Sequence, residues 1–377
     1  MVLANLVSDN PWLEGLARMV IVALIVPLSV IVLTWLERKV IGRLQMRLGP
    51  MRVGPYGILQ GVADTIKLLT KEDLRPQSAD RWTFELAPFA VVVPVLMAVV
   101  ALPFTADVLV RNMALGLFYI LAVTGLSIVG FIMAGWGSDN KYALLGGVRA
   151  GAQLISYEIP LVMAAVAVAM VAGTLNLSVI SAQQEDTPYI VYQPLTFLIF
   201  VTSGLAELYR QPFDIPVAES EVVGGPFVEY SGIRWSMFQM GEFVSLVLIS
   251  ILGSILFLGS WSFPFGNDAS PLVQAATMVV KAFALILFFM WMRGSLPRLR
   301  IDQLMSFCWQ LLLPFAFLQI ALNGLVLVYD WEDVTLTVFS GIAAAAAVYL
   351  TYRAARRSGL ALARPGSPVG QRVGGVL

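Results

Sequence analysis

Seven carboxylates lie within or beside long apolar segments, where an ionised group is costly. Glu158, Glu207 and Glu242 stand close to the ends of apolar runs. The other four lie between the last two of these: Asp214, Glu219, Glu221 and Glu229. A carboxyl group buried beside like charges can hold and release a proton near neutral pH. Together the seven acids predict a proton or cation route, although each one alone also fits a paired or solvated position at the headgroup level.

Lys281 lies in the middle of another apolar segment, at about residues 272–292. A long cationic side chain can extend from such a position towards the membrane interface. It can also pair with one of the acids, and pairing is the favoured interpretation.

A polar stripe makes the segment 57–71 amphipathic. The apolar residues, which fall within about 100° of a helical wheel, are Ile58, Leu59, Val62, Ile66 and Leu69. The polar residues opposite them are Gln60, Asp64, Lys67 and Lys71. This pattern is typical of a helix at the membrane interface. It also fits a helix that walls a cavity for an amphiphile, with Asp64 and Lys67 facing the head group.

The composition is that of a membrane protein. Of 377 residues, 58% are hydrophobic and 13% are charged, whereas a soluble domain carries about 25% charged residues. Lys plus Arg and Asp plus Glu balance at 24 each, so no excess of basic charge points to nucleic acid. The sequence has no His and one Cys, Cys308, which excludes the commonest ligand sets for haem, zinc and iron–sulfur clusters. We therefore expect no metal site and no redox centre in this chain.

Nine apolar segments are long enough to cross a bilayer, which takes roughly 20 residues. They predict an all-α polytopic membrane protein with additional interfacial amphipathic helices, folded as one transmembrane domain over residues 1–357. The predicted spans are about 17–36, 86–104, 113–136, 152–174, 190–208, 238–260, 272–292, 308–329 and 334–352. Residues 358–377 are rich in Gly, Pro and Arg and are predicted to be a disordered cytoplasmic tail.

Basic residues indicate the orientation, because Lys and Arg accumulate on the cytoplasmic side. With the N-terminus outside, the inside segments 37–85, 137–151, 209–237, 293–307 and the tail hold 21 of the 24 Lys and Arg residues. Arg18 and Arg111 alone fall outside, and Lys281 lies within a span. We therefore predict an N-out, C-in topology.

Several blocks of residues, in order from about residue 20 to 330, resemble one family. In the first part of the chain they are Leu36-Glu37-Arg38-Lys39, Gln45 to Pro50, Leu59 to Lys67 and Lys71-Glu72-Asp73. The later blocks are Lys141 to Gly146, Ile155-Ser156-Tyr157-Glu158, Pro212-Phe213-Asp214, Glu219-Ser220-Glu221, Val228 to Ser231 and Arg300 to Met305. Together they are similar to the H subunit of NADH–quinone oxidoreductase (respiratory complex I), the NADH dehydrogenase subunit 1 family.

The resemblance implies a quinone-access tunnel and an acidic path. The tunnel residues that it implies are Glu37, Arg38, Arg47, Asp64 and Phe227, and the polar stripe adds Lys67. The acids that match the coupling path are Glu158, Glu207, Asp214, Glu219, Glu221, Glu229 and Glu242, with Tyr230 and Lys281 assigned beside them. None of these residues is expected to be catalytic.

The resemblance also implies the partners. The reaction would be reduction of quinone, such as ubiquinone, coupled to outward proton translocation in the inner (plasma) membrane of the cell. NAD, FMN and iron–sulfur clusters are expected in partner subunits and no cofactor in this chain. The expected partners are quinone, the hydrophilic iron–sulfur arm, antiporter-like membrane subunits and the lipid bilayer.

Two positions depart from the family pattern. The family usually reads Pro-Glu-Ala-Glu where this chain reads Pro216-Val217-Ala218-Glu219, so one acid of the path is lost. Some members also carry Glu in the third span, where Gly125 stands here. These departures bear on the proton route and leave the tunnel residues unchanged.

Two other functional classes remain open on the sequence. The related membrane subunit of an energy-converting hydrogenase would use no quinone, and the long cytoplasmic loops and Glu229-Tyr230-Ser231 favour the quinone branch. A stand-alone antiporter with a carboxylate site predicts inverted repeats and broken helices, and the sequence suggests neither.

The predicted topology can be tested by cysteine labelling. A membrane-impermeant maleimide added from outside should label a Cys at position 332 in place of Glu332, and should not label a Cys at position 357 in place of Arg357. The unsubstituted chain, with Cys308, gives the background. Labelling of both positions from the same side would remove 334–352 as a crossing.

Overall fold

The structure is a computed structural model that describes residues 11–357 apart from 107–110, 265, 268–269, 330 and 332. Regular secondary structure in this part of the chain is helical, which confirms the predicted all-α class. The predicted tail at 358–377 lies outside the described residues. The same holds for Asp330 and Glu332, in the short turn between the last two predicted spans.

Fifteen α-helices make up the described chain. They are α1 (Pro11–Leu44), α2 (Gln60–Thr70), α3 (Arg81–Val99), α4 (Gly116–Gly125), α5 (Ser127–Gly137), α6 (Lys141–Ala172), α7 (Leu177–Ala182), α8 (Tyr189–Tyr192), α9 (Pro194–Glu207), α10 (Glu219–Val222), α11 (Gly232–Phe257), α12 (Pro271–Ser295), α13 (Ile301–Phe307), α14 (Leu313–Val328) and α15 (Asp333–Arg357). Short 3-10 turns occupy Pro55–Gly57 and Gly225–Phe227, and a π-helical turn, Cys308–Leu312, joins α13 to α14.

Seven helical segments among the described residues are long and apolar enough to cross a membrane. They are α3, α4 with α5, α6, α11, α12, α13 through α14, and most of α15. The predicted span 17–36 lies within α1, and α9, with 14 residues, covers most of the predicted span 190–208. The polytopic class is thus confirmed, while the count of nine crossings stays a prediction.

The segment 137–151, which lies between two predicted spans, is mostly helix. Asn140 caps α6 by accepting a hydrogen bond from the backbone N–H of Tyr142 at 2.9 Å, so the helix begins at Lys141, far ahead of the predicted span. The helix then continues past Arg149, because a single charged side chain does not interrupt a helix. Hydropathy therefore locates the apolar part of α6 and misses its polar first turns.

The segment that follows α9 also differs from the predicted loop at 209–237, because its first part is buried. Leu208, Tyr209 and Arg210 are all less than a tenth exposed. Irregular backbone inside a membrane bundle needs internal hydrogen-bond partners. The Gln153 amide of α6 supplies two of them, donating to the carbonyl oxygens of Ala206 at 2.7 Å and Phe213 at 2.8 Å.

Close helix packing around α6 depends on residues without side chains. A Cβ atom on Gly135 would lie 2.7 Å from the carbonyl oxygen of Ala143 and 2.9 Å from the Cα of Gly147. Because both neighbours are backbone atoms, they cannot move aside independently. Helices α5 and α6 therefore approach as closely as small residues allow in membrane proteins.

This close approach predicts that Gly135→Ala destabilises the protein by about 1–3 kcal/mol, the usual cost of overpacking. Gly341 of α15 is the matched control, because a Cβ there meets nothing within 4 Å. Gly341→Ala should be neutral or stabilising by up to about 1 kcal/mol, since Ala favours helix. Thermal unfolding of the purified protein in detergent checks both, and equal effects would contradict the packing argument.

Candidate functional site: two cavities and the charges between them

A cavity of about 410 Å³ lies between α1, α2, the start of α11 and the end of α12. Four of the six residues predicted for the tunnel line it: Glu37, Arg38, Arg47 and Asp64. Its apolar walls include Ile31, Leu68, Ile233, Met240 and Phe243. The size and the mixture of a few charged groups with apolar walls are those of a small-molecule site.

The polar stripe of α2 left two predictions open, a helix at the membrane interface and a helix that walls a cavity. Helix α2 has features of both. Gly61 allows it to lie directly on α1, because a Cβ there would come within 2.6 Å of the Ile31 side chain. Asp64 and Thr65 line the cavity, while the side chains of Val62 and Ile66 are exposed. The helix therefore walls the cavity with one face and leaves its apolar face open.

Asp64 is held as a carboxylate by its neighbours. The Arg38 guanidinium donates to its Oδ2 atom at 2.6 Å, and the Gln60 amide donates to Oδ1 at 3.1 Å. Burial acts to raise the pKa of Asp64, but these hydrogen bonds and the charges of Arg38 and Lys67 outweigh it. The pKa of this carboxyl therefore lies below its ordinary value. A fixed ion pair thus stands in the wall of the cavity.

Glu37 belongs to the most buried group of paired charges at this cavity. Its side chain lies between two arginines, Arg293 at the end of α12 and Arg210 after α9. Arg293 donates to Oε1, and the Arg210 Nη1 atom lies 2.8 Å from Oε2. Glu37 is 4% exposed and Arg210 is 3% exposed, so this pair is shielded from solvent. Removing Glu37 would leave Arg210 as an uncompensated buried charge.

Two predicted tunnel residues, Lys67 and Phe227, do not line this cavity. The Lys67 ammonium lies 3.5 Å from Asp64, on the more exposed side of that carboxylate. Phe227 packs against Phe131 and Phe238, with ring centroids 6.1 and 4.9 Å apart. Their roles in a tunnel stay predictions.

A second, much smaller cavity of about 20 Å³ brings two of the predicted acids together. Glu207 and Glu242 both line it, with the hydroxyl groups of Thr124, Ser127 and Ser245 nearby. A cavity needs roughly 10–15 Å³ and two or more polar partners to hold one water. This cavity therefore has the size and the polar lining for a water molecule between the two carboxyl groups.

Glu158 is a third acid near Glu207 and Glu242. Its position also bears on Gly125, one of the two departures from the family pattern. Its charge interacts with that of Glu207. A Cβ atom on Gly125 would collide with the Glu158 carboxylate, so that carboxylate occupies the space next to the glycine. An acid at position 125 would require Glu158 to adopt another conformation.

Asp214 does not line this small cavity and lies beside Arg298. The Arg298 guanidinium donates to its Oδ2 atom at 2.8 Å. Burial and the nearby charge of Glu219 raise the pKa of Asp214 above its ordinary value, although Arg298 opposes them. Glu219 itself is exposed, as is Ser220. Val217, which replaces the missing acid, is half-buried in the same segment.

The remaining predicted path residues have partners of their own. Arg149 donates to Glu221 at 2.6 Å, and Asn140 donates to Glu229 at 2.5 Å. The Tyr230 hydroxyl donates to a backbone carbonyl of α3 at 3.1 Å. According to the predicted topology, the elements that bind these acids lie on the cytoplasmic side. In the described structure no hydrogen bond or ion pair joins the Glu221 or Glu229 side chain to the residues that line the second cavity.

The expectation that Lys281 pairs with an acid is wrong. Its ammonium donates to three backbone carbonyls that follow α11, those of Leu258 at 2.5 Å, Ser260 at 2.8 Å and Phe263 at 2.6 Å. These carbonyls lie beyond the C-terminal end of α11, whose partial negative charge favours a cation. Glu242 lies 16 residues before Leu258, which is about 24 Å along a helix.

Sequence reasoning misses Arg210 and Arg293 as the two partners of Glu37. In the sequence both count only as orientation signals, because each follows an apolar run closely. A hint in the sequence that Arg210 is buried near acids is that Glu207 lies three residues before it. Among the residues the structure describes, no group of three or more His, Cys, Asp or Glu side chains is placed to hold a metal ion.

Comparisons with known proteins identify the family of this chain. A family model described as NADH dehydrogenase matches residues 17–324. The H subunit of the NADH-quinone oxidoreductase of Dehalococcoides mccartyi (strain CBDB1) is 40% identical over 331 residues, which cover 88% of this chain and 92% of that protein. The corresponding H subunit of Geobacillus kaustophilus (strain HTA426) is 48% identical over 291 residues, covering 77% and 87%. The chain therefore belongs to the NADH dehydrogenase family of membrane subunits.

Proposed function

We propose that this chain admits quinone to a membrane-bound NADH–quinone oxidoreductase and couples quinone reduction to proton translocation. The observation that carries the proposal is the cavity beside α2. It combines the Arg38–Asp64 pair and Glu37 with walls such as Phe243 and Met240. A quinone has a polar head with two carbonyl acceptors and an apolar tail, so it needs both kinds of surface. The names of the relatives, which are subunits of this oxidoreductase, support the same substrate.

The coupling half of the proposal rests on the second cavity. Glu207 and Glu242 share a space large enough for one water, and Glu158 interacts with Glu207. Acids that share a water-sized cavity can pass a proton from one to the next through that water, because each can be neutral while its neighbour is charged. Reduction of one quinone takes up two electrons and two protons. Because quinone and quinol are both neutral, the charge next to Glu37 changes only between the arrival of the electrons and the arrival of the protons.

The remaining parts of the function follow from the same assignment. The electrons reach quinone from iron–sulfur clusters of a hydrophilic partner, which also holds NAD and FMN, and this chain binds none of these cofactors. Antiporter-like membrane subunits are the other partners. The protein lies in the plasma membrane with its N-terminus outside, so Lys281 lies towards the outer surface.

The quinone site is tested by Asp64→Ala and Arg38→Ala in the whole complex. Either change leaves the other charge without its partner, and a charge-assisted hydrogen bond contributes about 1.5–3 kcal/mol. The KM for a short-chain ubiquinone should therefore rise about tenfold or more. Electron transfer from NADH to an artificial acceptor upstream of quinone should stay normal.

Arg81→Ala is the matched control, because Arg81 forms an exposed pair with Glu85 at 3.7 Å and does not line the cavity. It should leave the KM for ubiquinone unchanged. A parallel fall of both electron-transfer activities in the Asp64 and Arg38 variants would indicate faulty assembly and would contradict the tunnel role.

The coupling path is tested by Glu207→Gln in reconstituted vesicles. The amide cannot release a proton, so the number of protons moved per quinone reduced should fall while quinone reduction continues. Lys281→Met is the comparison, because the Lys281 ammonium is bound to three carbonyls. It should keep the proton ratio and lower thermal stability by about 1–3 kcal/mol, since those carbonyls lose a donor. A normal ratio in Glu207→Gln, or a reduced one in Lys281→Met, would contradict this division of roles.

A further inference from the structure

The Glu158 carboxylate of α6 has a defined place but no bond that holds it there. It reaches across to the third predicted span and lies against Gly125, the last residue of α4. No described residue forms a hydrogen bond or an ion pair with this carboxylate. The space into which it fits therefore decides where it lies.

Gly125 provides that space. The three atoms nearest to a Cβ built on Gly125 all belong to the Glu158 carboxyl group: Oε1, which would collide with it, Cδ at 3.3 Å and Oε2 at 3.5 Å. The backbone does not require a glycine here, because Gly125 is not among the residues with positive φ. Close helix packing does not require it either. A Cβ on Gly130 or Gly137 of α5, in contrast, would lie 2.8 or 2.9 Å from a backbone nitrogen of α3. Gly125 thus makes room for a single acidic side chain.

The neighbours of Gly125 bring the Glu158 carboxylate to the wall of the small cavity. Thr124, directly before Gly125, and Ser127, two residues after it, both line that cavity. On α6 the cavity is lined by Leu154. Residues four apart share one face of a helix, so Glu158 lies on the same face as Leu154. The contact with Gly125 therefore places the carboxylate beside the cavity, on the side that α4 and α6 form.

The backbone of α6 next to Glu158 is held in place from outside the helix. The carbonyl of Ser156 has no donor within α6, because the residue four positions later is a proline. The buried thiol of Cys308 donates to this carbonyl at 3.0 Å. The Tyr157 hydroxyl donates to the carbonyl of Leu304 at 2.9 Å. A methyl group added to the glycine therefore displaces the flexible end of the Glu158 side chain and leaves the helix where it is.

We propose that Gly125 is a positioning residue, which keeps the Glu158 carboxyl group beside the small cavity so that it takes part in proton transfer there. This inference rests on the proposed coupling function. In each transfer one carboxyl group releases a proton and a neighbouring carboxylate accepts it. A side chain at position 125 sends the Glu158 carboxyl group away from the cavity wall and lengthens its transfer step.

The first test is the number of protons moved per quinone reduced by the whole complex in vesicles. Gly125→Ala should lower this ratio towards that of Glu158→Gln, while quinone reduction continues. Glu158→Asp withdraws the carboxyl group by one carbon–carbon bond, about 1.5 Å. The double variant Gly125→Ala with Glu158→Asp should therefore regain part of the ratio that Gly125→Ala loses. Such a departure from additivity is expected of two groups in direct contact.

The second test locates the carboxyl group without reference to pumping. A hydrophobic carbodiimide modifies protonated carboxyl groups, and mass spectrometry of the treated complex measures the rate at each acid. Gly125→Ala should raise the rate at Glu158 several-fold, because its carboxyl group leaves the space between the helices. The rate at Glu242 in the same sample is the reference.

Gly151→Ala is the matched control. It also adds a methyl group between α6 and the third predicted span, but its Cβ would meet only the Ile132 side chain, at 3.0 Å. It should change neither the rate of modification at Glu158 nor the proton ratio.

An unchanged rate at Glu158 in an assembled Gly125→Ala complex would overturn the proposal. So would a normal proton ratio in Gly125→Ala where Glu158→Gln lowers it. If Gly125→Ala does not assemble, the double variant with Glu158→Asp decides. Its assembly would identify the Glu158 carboxyl group as the obstacle, as proposed, and its failure would overturn the proposal. A normal ratio in Glu158→Gln would instead contradict the coupling function of this acid, and the carbodiimide rates would still decide the positioning role.

Discussion

The absence of water inside a bilayer governs the arrangement of this protein, because buried backbone polar groups must find their hydrogen-bond partners within the bundle. The segment after α9 shows the consequence most clearly. It leaves helical geometry while still buried, and Gln153 supplies hydrogen bonds to its carbonyls on both sides of the break. With the backbone satisfied in this way, the break can carry Glu207 and Arg210 into the interior of the protein.

The same requirement sorts the charged residues into two kinds. The pairs Arg298–Asp214 and Arg149–Glu221 are partly exposed and locally balanced, so they contribute little energy individually and mainly hold segments in place. In the group around Glu37, the Glu37–Arg210 pair is buried, and the partly exposed Arg293 leaves the group with one excess positive charge. An unbalanced buried group responds to any new charge or hydrogen bond brought near it, and that response is what a coupling device needs.

Local properties of the sequence, apolar length and polar spacing, predict the class of fold and the amphipathic helix with Asp64, whereas Glu37, Arg38 and Arg47 are implied only by the resemblance to the family. They cannot predict that Arg210 and Arg293 converge on Glu37, since those three residues come from distant parts of the chain. Hydropathy also represents 209–237 as a loop. A window average cannot distinguish a polar segment in solvent from a buried polar segment whose carbonyl groups accept hydrogen bonds from another helix. The prediction for Lys281 is wrong for the same reason: its partners are carbonyl groups, which the residue types of a sequence do not reveal.

The shortness of α9 has an electrical consequence. Its 14 residues rise about 21 Å, roughly 9 Å less than the hydrocarbon layer of a bilayer. The buried polar segment with Glu207 and Arg210 begins at its C-terminal end, so the insulating layer is thinned there by polar groups. Transmembrane voltage then falls over a shorter distance, and moving a unit charge across the whole layer costs about 2.3 kcal/mol per 100 mV. A charge displaced along the membrane normal at this end of α9 therefore moves through a steeper part of the membrane field.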